Sequence, residues 1–334
     1  MAAGAITEDS GPRLRLARSC KPPCLREAWS GSRIGDVMMS APAVTRREAL
    51  ATLAGVALAA VPLVRAASAP TSPTAMLSAP APSSGRLHHS VCRWCYPGIP
   101  LGTLATAAHD LGVESIELLD PGEWPVVRQA GLTCAMANGT TTIADGFNRL
   151  ENHGKYVPSM IERIKACADA GLPNVICFSG NRAGLPDEQG LENCTTGLKQ
   201  IAGAAEKAGV TVCMELLNSR VDHPDYQCDH TAWGAELVRR VGSERFKLLY
   251  DIYHMQIMEG DVIRTIQDHH ACLGHYHTGG VPGRHEIDET QELNYPAIMR
   301  AIKATGFNGF VAQEFLPTRD PLTSLREAVR LCRV

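Results

Sequence analysis

The feature that most restricts this chain is a strict alternation. From His88 to Cys332, short apolar β-rich runs give way to helical patterns eight times. The expected strands are 88–94, 113–119, 132–137, 174–179, 210–215, 247–251, 274–277 and 310–314. Helices are expected near 101–111, 125–130, 156–170, 191–208, 231–241, 261–270, 295–305 and 322–332, with Gly209 closing the fourth as a C-cap. Alternation of this kind requires a parallel sheet, and eight units over roughly 250 residues describe an α/β protein with a (β/α)8 TIM barrel as its single domain. No glycine-rich phosphate fingerprint follows the first strand, which argues against an open dinucleotide-binding sheet.

The later runs end on chemistry. Val210-Thr-Val-Cys-Met-Glu215 and Lys247-Leu-Leu-Tyr-Asp251 end on carboxylates, Gly274-His-Tyr-His277 on imidazole, and Phe310-Val-Ala-Gln-Glu314 on a third carboxylate. Charge is costly to bury unless paired, so a carboxylate closing an apolar strand needs a reason. Strand ends of a parallel barrel converge on one mouth, where three carboxylates repel one another unless a cation sits between them. Oxygen-rich ligation with one imidazole suits Mg or Mn, with Co or Zn as alternatives. The expected ligands are Glu215, Asp251, His277 and Glu314. A salt-bridge network at the same strand ends is the structural alternative.

Other residues stand near this mouth. His254 follows Asp251 and is placed to bind a substrate hydroxyl or to cap a helix. Arg284, in the loop Gly280-Val-Pro-Gly-Arg-His-Glu286, offers a guanidinium fork to a substrate carboxylate or hydroxyl pair. Glu286 is a third substrate-binding candidate. Glu117, closing the second strand, either faces the mouth or pairs with Arg93. Trp94 and Trp124 are candidates for an apolar wall, with core packing as the default. His153 and Lys155 lie nearby but are not expected to act directly.

The N-terminal quarter is a different material. Arg46-Arg47 precedes an apolar run from Ala49 to Val64, and Ala67-Ser-Ala69 follows as a small-residue cleavage pattern. This is a twin-arginine signal peptide over residues 38–69, read by the Tat translocase and removed near Ala69, which places the mature protein in the periplasm or outside the cell. An uncleaved anchor is the alternative, although the run is short for a span of ~20 residues and Pro62 interrupts it. Residues 1–37 read as a non-native extension, with Met38-Met39 as the natural start. Residues 70–86, rich in Pro, Ser and Ala, read as a disordered linker to a barrel over 87–334.

Twelve cysteines invite a disulfide reading in an exported protein. Cys134, Cys177 and Cys213, however, sit inside apolar runs, where cysteine acts as a small hydrophobe. Cys92 and Cys95 have CxxC spacing but fall in an expected strand, where they would point to opposite faces. The thiols are expected to be reduced. A net charge of −3 offers no footprint for nucleic acid. Self-association into a homo-oligomer is left open by the sequence.

At three places the chain resembles a known family. Asp251-Ile-Tyr-His-Met-Gln256, Gly280-Val-Pro-Gly-Arg-His-Glu286 and Leu293-Asn-Tyr295 resemble the hydroxypyruvate isomerases, within the wider xylose-isomerase-like TIM barrels. The loop Thr142–Arg149 and Glu151-Asn-His153 are similar to the same family. His277 stands where those isomerases tend to carry Gln, and in this it is more like the ketose 3-epimerases. The resemblance implies a divalent metal on Glu215, Asp251, His277 and Glu314. It implies Glu215 and Glu314 as proton donor and acceptor in an isomerase or epimerase of a small hydroxy-carbonyl compound or sugar, acting through an enediolate. A lyase of inosose dehydratase type and a catalytically silent exported sugar-binding barrel are the alternatives.

Overall fold

The computed structural model describes residues 86–334. The expected signal peptide and nearly all of the linker lie outside the described residues. Seven strands run parallel: β1 (His88–Cys92), β2 (Ser115–Glu117), β3 (Asn174–Cys177), β4 (Thr211–Glu215), β5 (Phe246–Asp251), β6 (Leu273–Thr278) and β7 (Phe310–Gln313). Their order in the sheet is β2-β1-β7-β6-β5-β4-β3. The expected third strand, 132–137, lies between the two edges but forms isolated bridges rather than a ladder. Thr133 pairs with Ser115, and Ala137 pairs with Leu119 on one side and Val175 on the other. Side chains take the place of the missing ladder bonds: Ser115 Oγ accepts the Ala135 N–H at 2.8 Å, and Asn174 Nδ2 donates to the Ala135 carbonyl at 2.8 Å. The ring therefore closes through an irregular segment that strand propensity alone does not distinguish from a regular one.

Nine α-helices connect the described strands: α1 (Leu101–Asp110), α2 (Trp124–Gln129), α3 (Leu150–Asp169), α4 (Asp187–Ala208), α5 (Thr231–Val241), α6 (Ile252–Met258), α7 (Val262–His269), α8 (Tyr295–Ala304) and α9 (Pro321–Cys332). Gly209 caps α4 at φ 68°, a left-handed conformation that costs glycine nothing. Three expectations need correction. The first strand ends at Cys92, and Arg93–Cys95 form a 3-10 turn that lifts Trp94 to the barrel rim. Helix α3 begins six residues before the expected start, in the polar stretch that composition assigns to loop. Helix α6 was not expected; the Asp251 carboxylate creates it by accepting the N–H groups of Tyr253 (2.9 Å) and His254 (3.3 Å).

The main core lies between sheet and helices, where Val91, Ile116, Val175, Leu248, Tyr250 and Val311 are essentially inaccessible. Burying each such side chain contributes about 1.5–3 kcal/mol. A second, separate cluster of Met136, Ile176, Cys213 and Leu249 fills the barrel interior. The cysteines among the described residues are all free, and nearly all are buried hydrophobes; burial pushes Cys213 up to about 12. No described helix is long and apolar enough to cross a membrane.

Candidate active site

Period-two alternation sets the positions of the inward groups. In the β5–β6 register Asp251 stands opposite His277 and Leu249 opposite His275, so both histidines point into the barrel, one layer apart. Glu117 closes β2, Glu215 closes β4, Asp251 closes β5, and Glu314 follows β7. The structure brings Glu215, Asp251, His277 and Glu314 together: one ligand atom from each lies within 4.8 Å of the others, and all four residues are buried.

The electrostatics of this cluster are tightly interlocked. His277 Nδ1 lies 2.6 Å from a Glu314 oxygen and 3.3 Å from a Glu215 oxygen, yet out of hydrogen-bonding alignment with either. Burial pushes the Glu215 carboxyl up to about 7 against the pull of His277. Burial also raises Glu314, but the His277 and Arg284 charges outweigh it and hold Glu314 well below the usual range. Burial lowers His277, but the Glu314 charge more than reverses this, so the imidazole is protonated at neutral pH in the metal-free cluster. Two carboxylates at one site are thus driven apart in proton affinity, a pattern that separates acid and base roles.

A divalent ion fits this donor set. Three carboxylate oxygens and one imidazole nitrogen converge, and the nitrogen carries no aligned hydrogen bond. The other face of the His277 ring is already committed: its Nε2 is 2.8 Å from Glu117 Oε1, which also takes His275 Nε2 at 2.8 Å. Burial raises Glu117, but the two imidazoles outweigh it and bring it down to about 2. An ionised Glu117 holds the Nε2 proton, so that Nδ1 would be the nitrogen available to hold a divalent ion. Glu117 therefore neither faces the mouth nor pairs with Arg93, whose guanidinium reaches the Tyr96 carbonyl instead. The expected outcome for Glu117→Gln is metal affinity lower by about 10–100-fold, measured by chelator competition.

Uptake of a divalent ion here would have to expel protons, because imidazole ligates only when neutral. The His277 shift is upward, so affinity rises with pH throughout the neutral range, by about tenfold per unit for each proton displaced. Below about pH 7 Glu215 also carries a proton, so the loss on acidification steepens there. Titrating metal affinity from acid to neutral pH checks this; a flat profile would contradict it.

Arg284 lies against the same carboxylates. Its Nη2 donates to Asp251 Oδ2 at 2.6 Å and to Glu314, and its Nη1 to His254 Nε2 at 2.9 Å. Its φ is 58°, an unfavourable conformation for a side chain of this size and one that costs about 1–3 kcal/mol. Strain of that kind persists where the surroundings overdetermine a functional geometry. His254 sits in the first turn of α6, buried between Arg284 and the Asn218 amide 2.7 Å away. Trp94 donates its indole N–H to Glu314 Oε1 at 2.6 Å and stands at the rim, 45% exposed.

The remaining candidates are placed elsewhere. The Glu286 carboxylate accepts from Thr318 N (2.9 Å), Thr318 Oγ1 (2.8 Å) and Ser324 Oγ (2.8 Å), and lies outside the cleft. Trp124 is buried, with its indole N–H on the Leu119 carbonyl. His153 bonds the Phe147 carbonyl at 2.9 Å and holds the loop that precedes α3. Sequence reasoning missed His275 and Asn218. For His275 a signal existed, since it shares strand parity with His277.

The profile of the xylose isomerase-like TIM barrel family matches residues 105–333, and the chain belongs to that family. Among its relatives is a putative hydroxypyruvate isomerase of Homo sapiens, 27% identical over 253 residues, which cover 70% of this chain and 90% of the relative. A 2-oxo-tetronate isomerase of Cupriavidus necator is 39% identical over 137 residues, 40% of this chain and 52% of the relative. The structure resembles that of an AP endonuclease, family 2, from Brucella melitensis, with TM-score 0.64 and 25% identity over 72% of this chain and 96% of the other.

Proposed function

We propose that the protein is a divalent-metal-dependent isomerase or epimerase of a small hydroxy-carbonyl compound or sugar. The observation that carries this is the convergence of Glu215, Asp251, His277 and Glu314 at one barrel mouth. The names of the two isomerase relatives support the same reaction class. A bound divalent ion supplies positive charge that makes a C–H beside a carbonyl acidic enough to lose its proton.

The rest of the chemistry belongs to the chain's own groups. Glu215 and Glu314 both lie beside His277 Nδ1 in the cluster, and one removes the proton from carbon while the other returns it. Return to the neighbouring carbon gives aldose–ketose isomerisation; return to the opposite face gives epimerisation. Arg284 and His254 border the cleft, where Arg284 holds the Asp251 and Glu314 carboxylates in place and His254 fixes the guanidinium. Trp94 holds Glu314 by its indole N–H and partly covers it from solvent.

With the authentic substrate in heavy water, product acquires deuterium at the carbon beside the carbonyl, read by NMR. Partial incorporation fits, since a shielded glutamate carries the same proton across. Full activity with no exchange, together with an unimpaired Glu314→Gln variant, would falsify the glutamate route and favour a hydride shift.

We propose also that residues 38–69 direct export through the Tat translocase, with cleavage near Ala69. The support is the Arg46-Arg47 pair, the apolar run and Ala67-Ser-Ala69. N-terminal sequencing of exported protein is expected to begin within a few residues of Pro70. Arg46→Lys with Arg47→Lys is expected to leave the precursor in the cytosol.

A further inference from the structure

The walls of the cleft carry information on substrate charge and size that the carboxylate cluster does not. We infer that the site takes an uncharged polyhydroxylated ketone of sugar size rather than a short 2-oxo acid. This rests on the isomerase reading above and specifies its substrate class.

Charge is the first observation. Among the described residues, Arg284 is the only arginine or lysine lining the cleft. Its Nη2 is held by Asp251 and Glu314, its Nη1 by His254, and its Nε is buried without a partner. No edge of the fork is free to grip a carboxylate in two-point fashion, which is how arginine recognises one. The remaining acidic groups on the walls are Asp120 and Asp222. Asp120 is answered by Arg163 at 3.2 Å, a residue outside the lining. Asp222 bonds the Asn218 amide at 2.6 Å and has no arginine or lysine partner among the described residues. A divalent ion and Arg284 together balance Glu215, Asp251 and Glu314, and Asp222 leaves the mouth net negative. A substrate carboxylate reaching the ion would be the fourth in the cluster, with no cation left to offset it.

Size and surface are the second observation, independent of charge. The cleft has a volume of about 760 Å³, of which a three-carbon acid fills only a small part. Leu118, Ile143, Ile176, Phe178 and Leu217 form an apolar stretch of its wall. The half-exposed Trp94 indole adds an aromatic surface at the rim, fixed in orientation by its bond to Glu314. Sugars match such a surface, because their C–H faces pack on apolar and aromatic groups while their hydroxyls bond at the edges. A short acid has no such face and would leave this wall wet.

The test uses the metal-loaded protein in heavy water with hydroxypyruvate and a panel of free ketopentoses and ketohexoses that includes D-fructose. Deuterium incorporation reports turnover, and ligand-observed NMR reports binding separately. At least one ketose is expected to exchange with a kcat/KM at least about tenfold above that of hydroxypyruvate, and Asp222→Asn is expected to narrow that ratio several-fold by improving the acid. Hydroxypyruvate turning over as well as the best ketose would overturn the inference and leave the isomerase reading intact. Ketoses that bind without exchange, while hydroxypyruvate does not bind, would support the inference and remove the isomerase reading. Neither binding nor exchange by any compound would overturn both.

Discussion

Glu215→Gln and Glu314→Gln are each expected to lower turnover by about 10²–10⁴-fold, the usual cost of losing a positioned acid or base, while metal stays largely bound. Glutamine keeps the size of the side chain and one ligating oxygen but cannot exchange a proton with carbon. The two variants are not expected to behave alike in the metal-free protein. Glu215 is raised to about 7 by burial, so a neutral amide mimics a form it already populates at neutral pH. Glu314 is held ionised by His277 and Arg284, and Trp94 and Arg284 both donate to it. Its replacement leaves Arg284 and His277 short of a counter-charge, so Glu314→Gln is the more destabilising of the two. Steady-state kinetics beside metal analysis of the purified variants checks this; a turnover loss fully accounted for by metal loss would remove the acid–base roles.

Asp251→Ala is expected to cost about 4 kcal/mol of stability in the metal-free protein and to weaken metal binding as well. The carboxylate is fully buried and has two structural tasks. One oxygen caps α6, a contribution of about 0.5–2 kcal/mol. The other bonds Arg284 at 2.6 Å, and breaking a buried pair costs about 3–5 kcal/mol. The low end applies because Arg284 keeps Glu314. Asp251→Asn retains a capping oxygen and so unfolds later than the alanine variant, yet it too loses metal because the charge is gone. Urea denaturation with and without added metal separates the two effects. Equal stability of both variants and wild type would show that neither the cap nor the pair holds α6 in place.

Much of the fold was legible because local patterns and tertiary demands agree. Alternation from His88 onward predicts parallel strands, and α5 begins and ends where its helical pattern places it. Segment 132–137 reads as a regular strand but is not one, because at its middle the Ser115 and Asn174 side chains take the N–H and carbonyl of Ala135 out of the backbone ladder. Helix α6 was illegible for a related reason. Its cap is the same Asp251 that strand reasoning assigns to the mouth, and one carboxylate serves both purposes.

What the sequence by itself determined is the barrel and the four side chains at its mouth. A charged residue closing an apolar strand is an anomaly visible without coordinates, and period-two alternation then fixes which way it points. Only the tertiary structure decided the supporting layer. Glu117 and His275 are separated by 158 positions, and nothing local distinguishes a carboxylate that sets an imidazole tautomer from one in a surface ion pair. Glu286 shows the converse: its loop places it beside Arg284 in sequence, but the chain turns its carboxylate toward Thr318 and Ser324. The physical reason is that sequence spacing encodes direction along an element, whereas hydrogen-bond partners depend on which elements closure of the barrel brings together.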